Sequence, residues 1–176
     1  MLSQHYFFCT CKVLICAHLF SEPVWNQVAQ KIANTGLPMI VGRIDCTKYS
    51  YVGQHFGIRG FPTIMYVKGE KKVEFKGERS LEDILDFASR VSGPPVHYLD
   101  SCEQLEKIIA NSGRKVAFVN VGPEANENFT THAASLQQFD WFYRSMEMCR
   151  GTKPGVYAFK ARNIVVPYGK CFYIEF

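Results

Sequence analysis

The chain reads as an α/β protein of two successive units, each built on a mixed sheet. Two observations predict this. From Glu22 onward, short apolar runs alternate with segments of helical period, the pattern of helices stacked on a sheet. Gly93-Pro94-Pro95 then interrupts that pattern, and afterwards it begins again, as expected where breakers mark a domain boundary.

The first unit opens awkwardly. Residues 6–20 are apolar and aromatic but carry Lys12 mid-run, with no basic residue before them and no small-x-small cleavage site. They read as a strand or a loose end rather than a secretory leader. Pro23 suits a first helical turn, and Val24, Val28 and Ile32 follow at helical spacing beside Trp25. Gly36 and Pro38 stop that helix. Residues 39–45 form an apolar run that predicts a strand buried on both faces. A short helix over 49–56 closes on Gly57. Residues 63–67 read as a strand, Lys68-Gly69-Glu70 as a turn, and 72–76 as the strand returning beside it. Ser80 and Asp83 have capping-box spacing, and Leu81, Ile84, Leu85, Ala88 and Val91 form the apolar face of the helix they start.

The second unit repeats the scheme. Residues 96–99 predict a strand, and Ser101 with Gln104 cap a helix that turns Leu105, Ile108 and Ile109 inward. Residues 115–121 predict a buried strand and 127–137 a helix, followed by an apolar stretch over 139–143. Residues 156–160 and 170–175 are expected to pair as a hairpin. The unit reaches Phe176 without a closing helix, so one face of its sheet is expected to lie uncovered.

Composition narrows the function classes. Of 176 residues, 47% are hydrophobic and 20% charged, the profile of a packed globular chain. The net charge of +4 is spread among acids, as in Lys68, Glu70, Lys71, Lys72, Glu74 and Lys76. That is a solvated strand edge and argues against a nucleic-acid partner. No run approaches the roughly 20 apolar residues of a transmembrane segment. Seven cysteines stand at 9, 11, 16, 46, 102, 149 and 171, no two of them three apart. Paired zinc knuckles are thereby missing, the five histidines show no ligand spacing, and no metal site is expected. The spacing is also too irregular for a small disulfide scaffold, so most thiols are expected to be buried or incidental.

The stretch Gly57-Ile58-Arg59-Gly60-Phe61-Pro62-Thr63-Ile64 carries the functional signal. A proline opening a buried strand cannot donate to the ladder, and X-Pro is the bond for which the cis form is cheap. With Ile44-Asp45-Cys46-Thr47 upstream and Lys76-Gly77-Glu78-Arg79 downstream, this phrase resembles the cis-proline loop of thioredoxins and protein disulfide isomerases. Glu22-Pro23-Val24-Trp25-Asn26 and Phe87-Ala88-Ser89-Arg90-Val91-Ser92-Gly93 narrow the resemblance to the thioredoxin-related transmembrane proteins of the endoplasmic reticulum, the third kind above all. The likeness covers 21–93 and continues weakly beyond.

That resemblance implies a thioredoxin-like fold with an incomplete first domain. Residues 1–20 would be a divergent segment, 21–93 the C-terminal part of a thioredoxin domain, and 94–176 a second, redox-inactive thioredoxin-like domain, truncated at its end. It implies residence in the endoplasmic reticulum, no cofactor, and unfolded or partly folded secretory proteins as partners. Ile58, Arg59, Phe61 and Pro62 would form the substrate-binding surface, the cis bond setting the backbone of residue 61 to pair with an extended client. Arg79 matches the arginine that modulates a thiolate pKa in the family; without that thiolate it reads as a surface residue beside the cap.

One departure is decisive. The family's catalytic C-x-x-C would fall on Ile15 and His18, with Cys16 between them and no cysteine three residues from it. That chemistry needs two thiols one turn apart at a helix N-terminus, where the dipole lowers the first pKa and the second resolves mixed disulfides. Cys9, Cys11 and Cys16 are the remaining catalytic candidates. In an extended strand, Cys9 and Cys11 would point to one face about 7 Å apart, which suits core packing. Cys46 is expected on a buried strand in a structural role. Asn128-Phe129-Thr130 is a glycosylation sequon. The expected function is therefore client binding in protein folding without redox catalysis. The alternatives are a thiol–disulfide oxidoreductase using the N-terminal cysteines, or a structural spacer.

Overall fold

The computed structural model describes residues 12–17, 22–111, 116–123, 126–160 and 164–167. The chain divides into two compact units at Gly93–Pro94.

In the first unit, β1 (Lys12–Ala17) is followed by α1 (Glu22–Thr35), β2 (Met39–Ile44), α2 (Ser50–Phe56), β3 (Thr63–Lys68), β4 (Lys71–Glu74) and α3 (Leu81–Ser92). The sheet order is β2-β1-β3-β4. β1 is central, parallel to β2 and antiparallel to β3. Residues 12–17 of the apolar N-terminal segment thus supply the strand on which a mixed sheet of this kind depends. β3 shows the period-2 alternation of a strand covered on both faces. Ile64 and Tyr66 pack with Trp25, Val28 and Ile32 of α1 and with Ile84, Phe87 and Val91 of α3. Met65 and Val67 pack on the opposite face with Val52 and Phe56 of α2.

Three expectations need correction here. Among the described strands β2 lies at the edge of the sheet, and Ile40 is 56% exposed. The parallel crossover from β1 delivers it to the rim, and α2, only seven residues long, leaves that position open. Cys46 is buried but lies in the turn after β2, not on the strand. The Asp45 carboxylate builds this turn by accepting from the Thr47 amide at 2.9 Å, the Thr47 hydroxyl at 2.6 Å and the Lys48 amide at 3.2 Å, an Asx turn. The returning strand β4 also runs over 71–74 rather than 72–76.

α3 begins as its sequence dictates. The Ser80 hydroxyl accepts from the Asp83 amide at 3.2 Å, with Glu82 and Asp83 in the first turn. Arg90 is buried on this helix and ion-paired to Asp86 one turn earlier.

The second unit contains β5 (His97–Leu99), α4 (Cys102–Asn111), β6 (Val116–Val121), α5 (Glu127–Leu136), β7 (Trp141–Ser145), a 3-10 turn (Cys149–Gly151), β8 (Gly155–Lys160) and β9 (Ile164–Pro167). Its order is β5-β7-β6-β8-β9. β5, β7 and β6 are mutually parallel, and β8 and β9 are antiparallel additions. The partner of β8 in the hairpin is β9, not 170–175. β8 already uses its other edge for β6, and 170–175 lie outside the described residues.

Both faces of this sheet carry buried side chains. Ala117, Val119 and Phe159 are buried with Leu105 and Ile109 of α4. Phe142 on the other face packs with Phe129 and Ala133 of α5. The expected uncovered face is thus closed at its centre by α4.

Candidate functional site

The loop after α2 is set by backbone rules. Gly57 takes φ 68° at the end of α2, where a left-handed residue lets the Gly57 amide bond the Gln54 carbonyl at 3.1 Å and the Ile58 amide bond Gly53 at 2.9 Å. The Phe61–Pro62 peptide bond is cis. The Thr63 hydroxyl donates to the Gly60 carbonyl at 2.7 Å and closes the turn. Thr63 then pairs in register with Ala17, which places the loop beside the C-terminal end of the central strand.

The structure brings the predicted loop residues together and gives them different duties. Ile58 is half-buried against the cluster of Val52, Phe56, Met65 and Val67 and anchors the loop. Arg59 and Phe61 are exposed, Phe61 to 50%, and Pro62 is half-buried. Arg79 is not an idle surface residue. Its guanidinium donates to the Pro62 carbonyl at 3.0 Å and ties the loop to the start of α3. Phe61, Met65, Lys72, Glu74 and Arg79 line an open groove of about 580 Å³. Lys72 fixes its floor by donating to the His55 carbonyl at 2.7 Å and lying 5.1 Å from the Phe56 ring centroid. Arg59, Lys72 and Arg79 against Glu74 give the groove a cationic rim. Lys72 belongs to this site but carried no distinguishing motif, because its bond to the end of α2 joins residues seventeen apart in sequence.

The cysteines fall in three situations. Cys9, Cys11 and His18 lie outside the described residues. Ile15 and Cys16 lie within β1, where Cys16 registers with Arg43 and Ile64. The first family thiol position is thus in a strand, not at a helix N-terminus. Cys46 is a free buried thiol whose pKa is pushed up by burial and then by the adjacent Asp45 charge, the opposite of an activated nucleophile. Cys102 and Cys149 form a disulfide across 47 residues of chain, with Cα atoms 5.3 Å apart. This pair corrects the expectation of incidental thiols, since connectivity is not readable from spacing.

The Glu147 carboxylate lies beside both sulfurs, the three donor groups falling within 4.8 Å of one another. Because the sulfurs are bonded to each other, the group presents a disulfide rather than a thiolate set. Asn128 is exposed in the first turn of α5, its carbonyl 2.6 Å from His132 Nδ1. No helix among the described residues is long and apolar enough to cross a membrane.

Comparison with known proteins places this geometry. A thioredoxin family model matches residues 8–90. Protein disulfide-isomerase TMX3 of Xenopus laevis is 39% identical over 135 residues, and the Homo sapiens protein of that name is 36% identical over the same length. Each match covers 75% of this chain, and the chain spans 29% of those relatives. The solved first two thioredoxin domains of Saccharomyces cerevisiae Eps1p align over 93% of this chain and 88% of that one, with TM-score 0.52 and 14% identity, a likeness of fold. The chain therefore carries a thioredoxin domain and belongs to the thioredoxin-fold proteins of the protein disulfide-isomerase family.

Proposed function

We propose that this chain is a client-binding member of that family in the endoplasmic reticulum, and that its first unit holds extended segments of unfolded or partly folded secretory proteins without redox catalysis. The observation that carries the reading is Phe61, a large apolar side chain half-exposed at the mouth of a groove whose frame is tied down by Ile58, Thr63 and the Arg79–Pro62 bond. Exposed aromatic surface on a rigid support is what a weak, sequence-tolerant binder needs. A client strand laid along the loop would combine main-chain pairing with apolar contact to the ring. The absence of catalysis follows from Ile15 and His18 at the family's thiol positions.

The test has two arms. A photo-crosslinking unfolded peptide without cysteine should map to residues 58–62. Insulin reduction by the native chain should not exceed a free-thiol control. Crosslinks spread evenly over the surface would favour a structural spacer. Turnover abolished by Cys9→Ser or Cys11→Ser would favour an oxidoreductase.

A further inference from the structure

The two ends of the Cys102–Cys149 disulfide are chemically unlike. Cys149 is 2% exposed and sits in a cluster with Leu99, Leu105 and Tyr143. Cys102 is the first residue of the ten-residue helix α4 and is only half-buried, with exposed Glu103 next to it. A thiolate attacks a disulfide in line with the S–S bond, and access selects which sulfur is hit. The Cys102 end of that axis is the end solvent reaches, whereas an approach to Cys149 runs through packed side chains.

The surroundings also provide for the departing sulfur. Cys149 Sγ lies 3.9 Å from the Ser145 hydroxyl and 3.6 Å from the Glu147 carbonyl oxygen. The Ser145 hydroxyl donates to that carbonyl at 2.9 Å and needs only a rotation about its C–O bond to face a sulfur gaining charge. Once protonated, the thiol can donate to the same carbonyl. Among the described side chains, those around the Cys102 end are acidic. Asp100, Glu103 and Glu147 are exposed around the start of α4, and Glu147 accepts the Cys102 amide proton at 3.1 Å.

We infer that Cys102 is a covalent capture site for cysteine thiols in basic peptide segments. In the step, an incoming thiolate bonds to Cys102 Sγ and the Cys102–Cys149 bond breaks. The electron pair passes to Cys149 Sγ, which takes up the proton the incoming thiol gave up. One disulfide is exchanged for another, so no external oxidant or reductant enters. The acidic entry favours thiols flanked by Lys or Arg and disfavours acidic ones, through local charge attraction. This stands on residues of the second unit and is independent of the loop reading, which cysteine-free peptides test.

The experiment exposes the native chain at pH 7.5 to a synthetic peptide with cysteine between arginines, and in parallel to one with cysteine between glutamates. Acid quenching, proteolysis and mass mapping then locate the adduct and separate it from the other cysteines. The adduct should sit on Cys102, forming about tenfold faster with the basic peptide. Glu147→Gln should shrink that ratio, and Ser145→Ala should slow capture of both peptides. An adduct on Cys149, equal rates for the two peptides, or exchange only after unfolding in urea would each overturn the assignment.

Discussion

Replacing Phe61 by serine removes the apolar surface on which the binding reading rests. The side chain is 50% exposed, and a phenylalanine offers on the order of 200 Å² in all, so about 100 Å² remains for a partner to cover. At about 25 cal/mol per Å² that burial contributes about 2.5 kcal/mol. Immobilising the ring and the client side chain against it takes back about 1 kcal/mol. The remainder, about 1.5 kcal/mol, corresponds to roughly a tenfold rise in Kd. The assay is a fluorescence anisotropy titration of a labelled, cysteine-free unfolded peptide against the native chain, Phe61→Ser and Phe61→Leu. Affinity should be weak, on the order of micromolar to millimolar, with Phe61→Leu between the other two. Thermal stability of Phe61→Ser should fall by up to about 2.5 kcal/mol, because the other half of the ring is already covered in the native chain, so the titrations are run well below the melting transition of each protein. Equal Kd for all three proteins would refute the reasoning.

Three further outcomes follow from the packing. The Tyr66 hydroxyl is fully buried and has no hydrogen-bond partner among the described residues, so Tyr66→Phe should leave urea stability unchanged or raise it by about 1 kcal/mol; a loss of that size would reveal a partner. The Cys102–Cys149 bond closes a 47-residue separation, for which chain entropy predicts about 4 kcal/mol; the double variant Cys102→Ser/Cys149→Ser should lose most of this in urea unfolding, and a loss below about 1 kcal/mol would count against that accounting. His97 packs 5.1 Å from the Trp141 ring, and burial lowers its pKa from 6.5. The native state then resists a proton that the unfolded chain accepts, so this contribution is present above about pH 6.5 and is lost as pH falls below it. His97→Gln should flatten that part of the stability profile between pH 7.5 and 5.

Much of the fold was legible because its signals are local. Val24, Val28 and Ile32 mark α1, the Ser80–Asp83 spacing starts α3, and Gly57 ends α2 at positive φ. What escaped is decided by partners distant in sequence. The run over 39–45 reads as apolar throughout, and nothing within it says whether a neighbour lies on one side or both; the sheet order makes it an edge. β9 was hidden because 170–175 has the same β-forming composition, and only the pairing of Tyr157 with Pro167 through Lys160 with Ile164 separates the candidates. At the site, the Gly57–Ile64 phrase marks the loop, but nothing in the sequence gives Arg79 a partner there. Its bond to Pro62 crosses seventeen residues and has no signature in spacing. The disulfide was hidden for the same reason, with one sulfur opening a helix and the other in a turn.

The two rims of the first sheet are not alike. β4 presents Lys71, Lys72 and Glu74 among its four residues, whereas β2, Met39-Ile40-Val41-Gly42-Arg43-Ile44, has a single charge and hydrogen-bonds only to β1 among the described strands. Charged rims repel further strands and apolar ones invite them. Among the described strands, the first sheet is thus guarded on one flank and receptive on the other. At high concentration its self-association should begin at Ile40, and Ile40→Lys would guard the second flank without touching the groove beside Phe61.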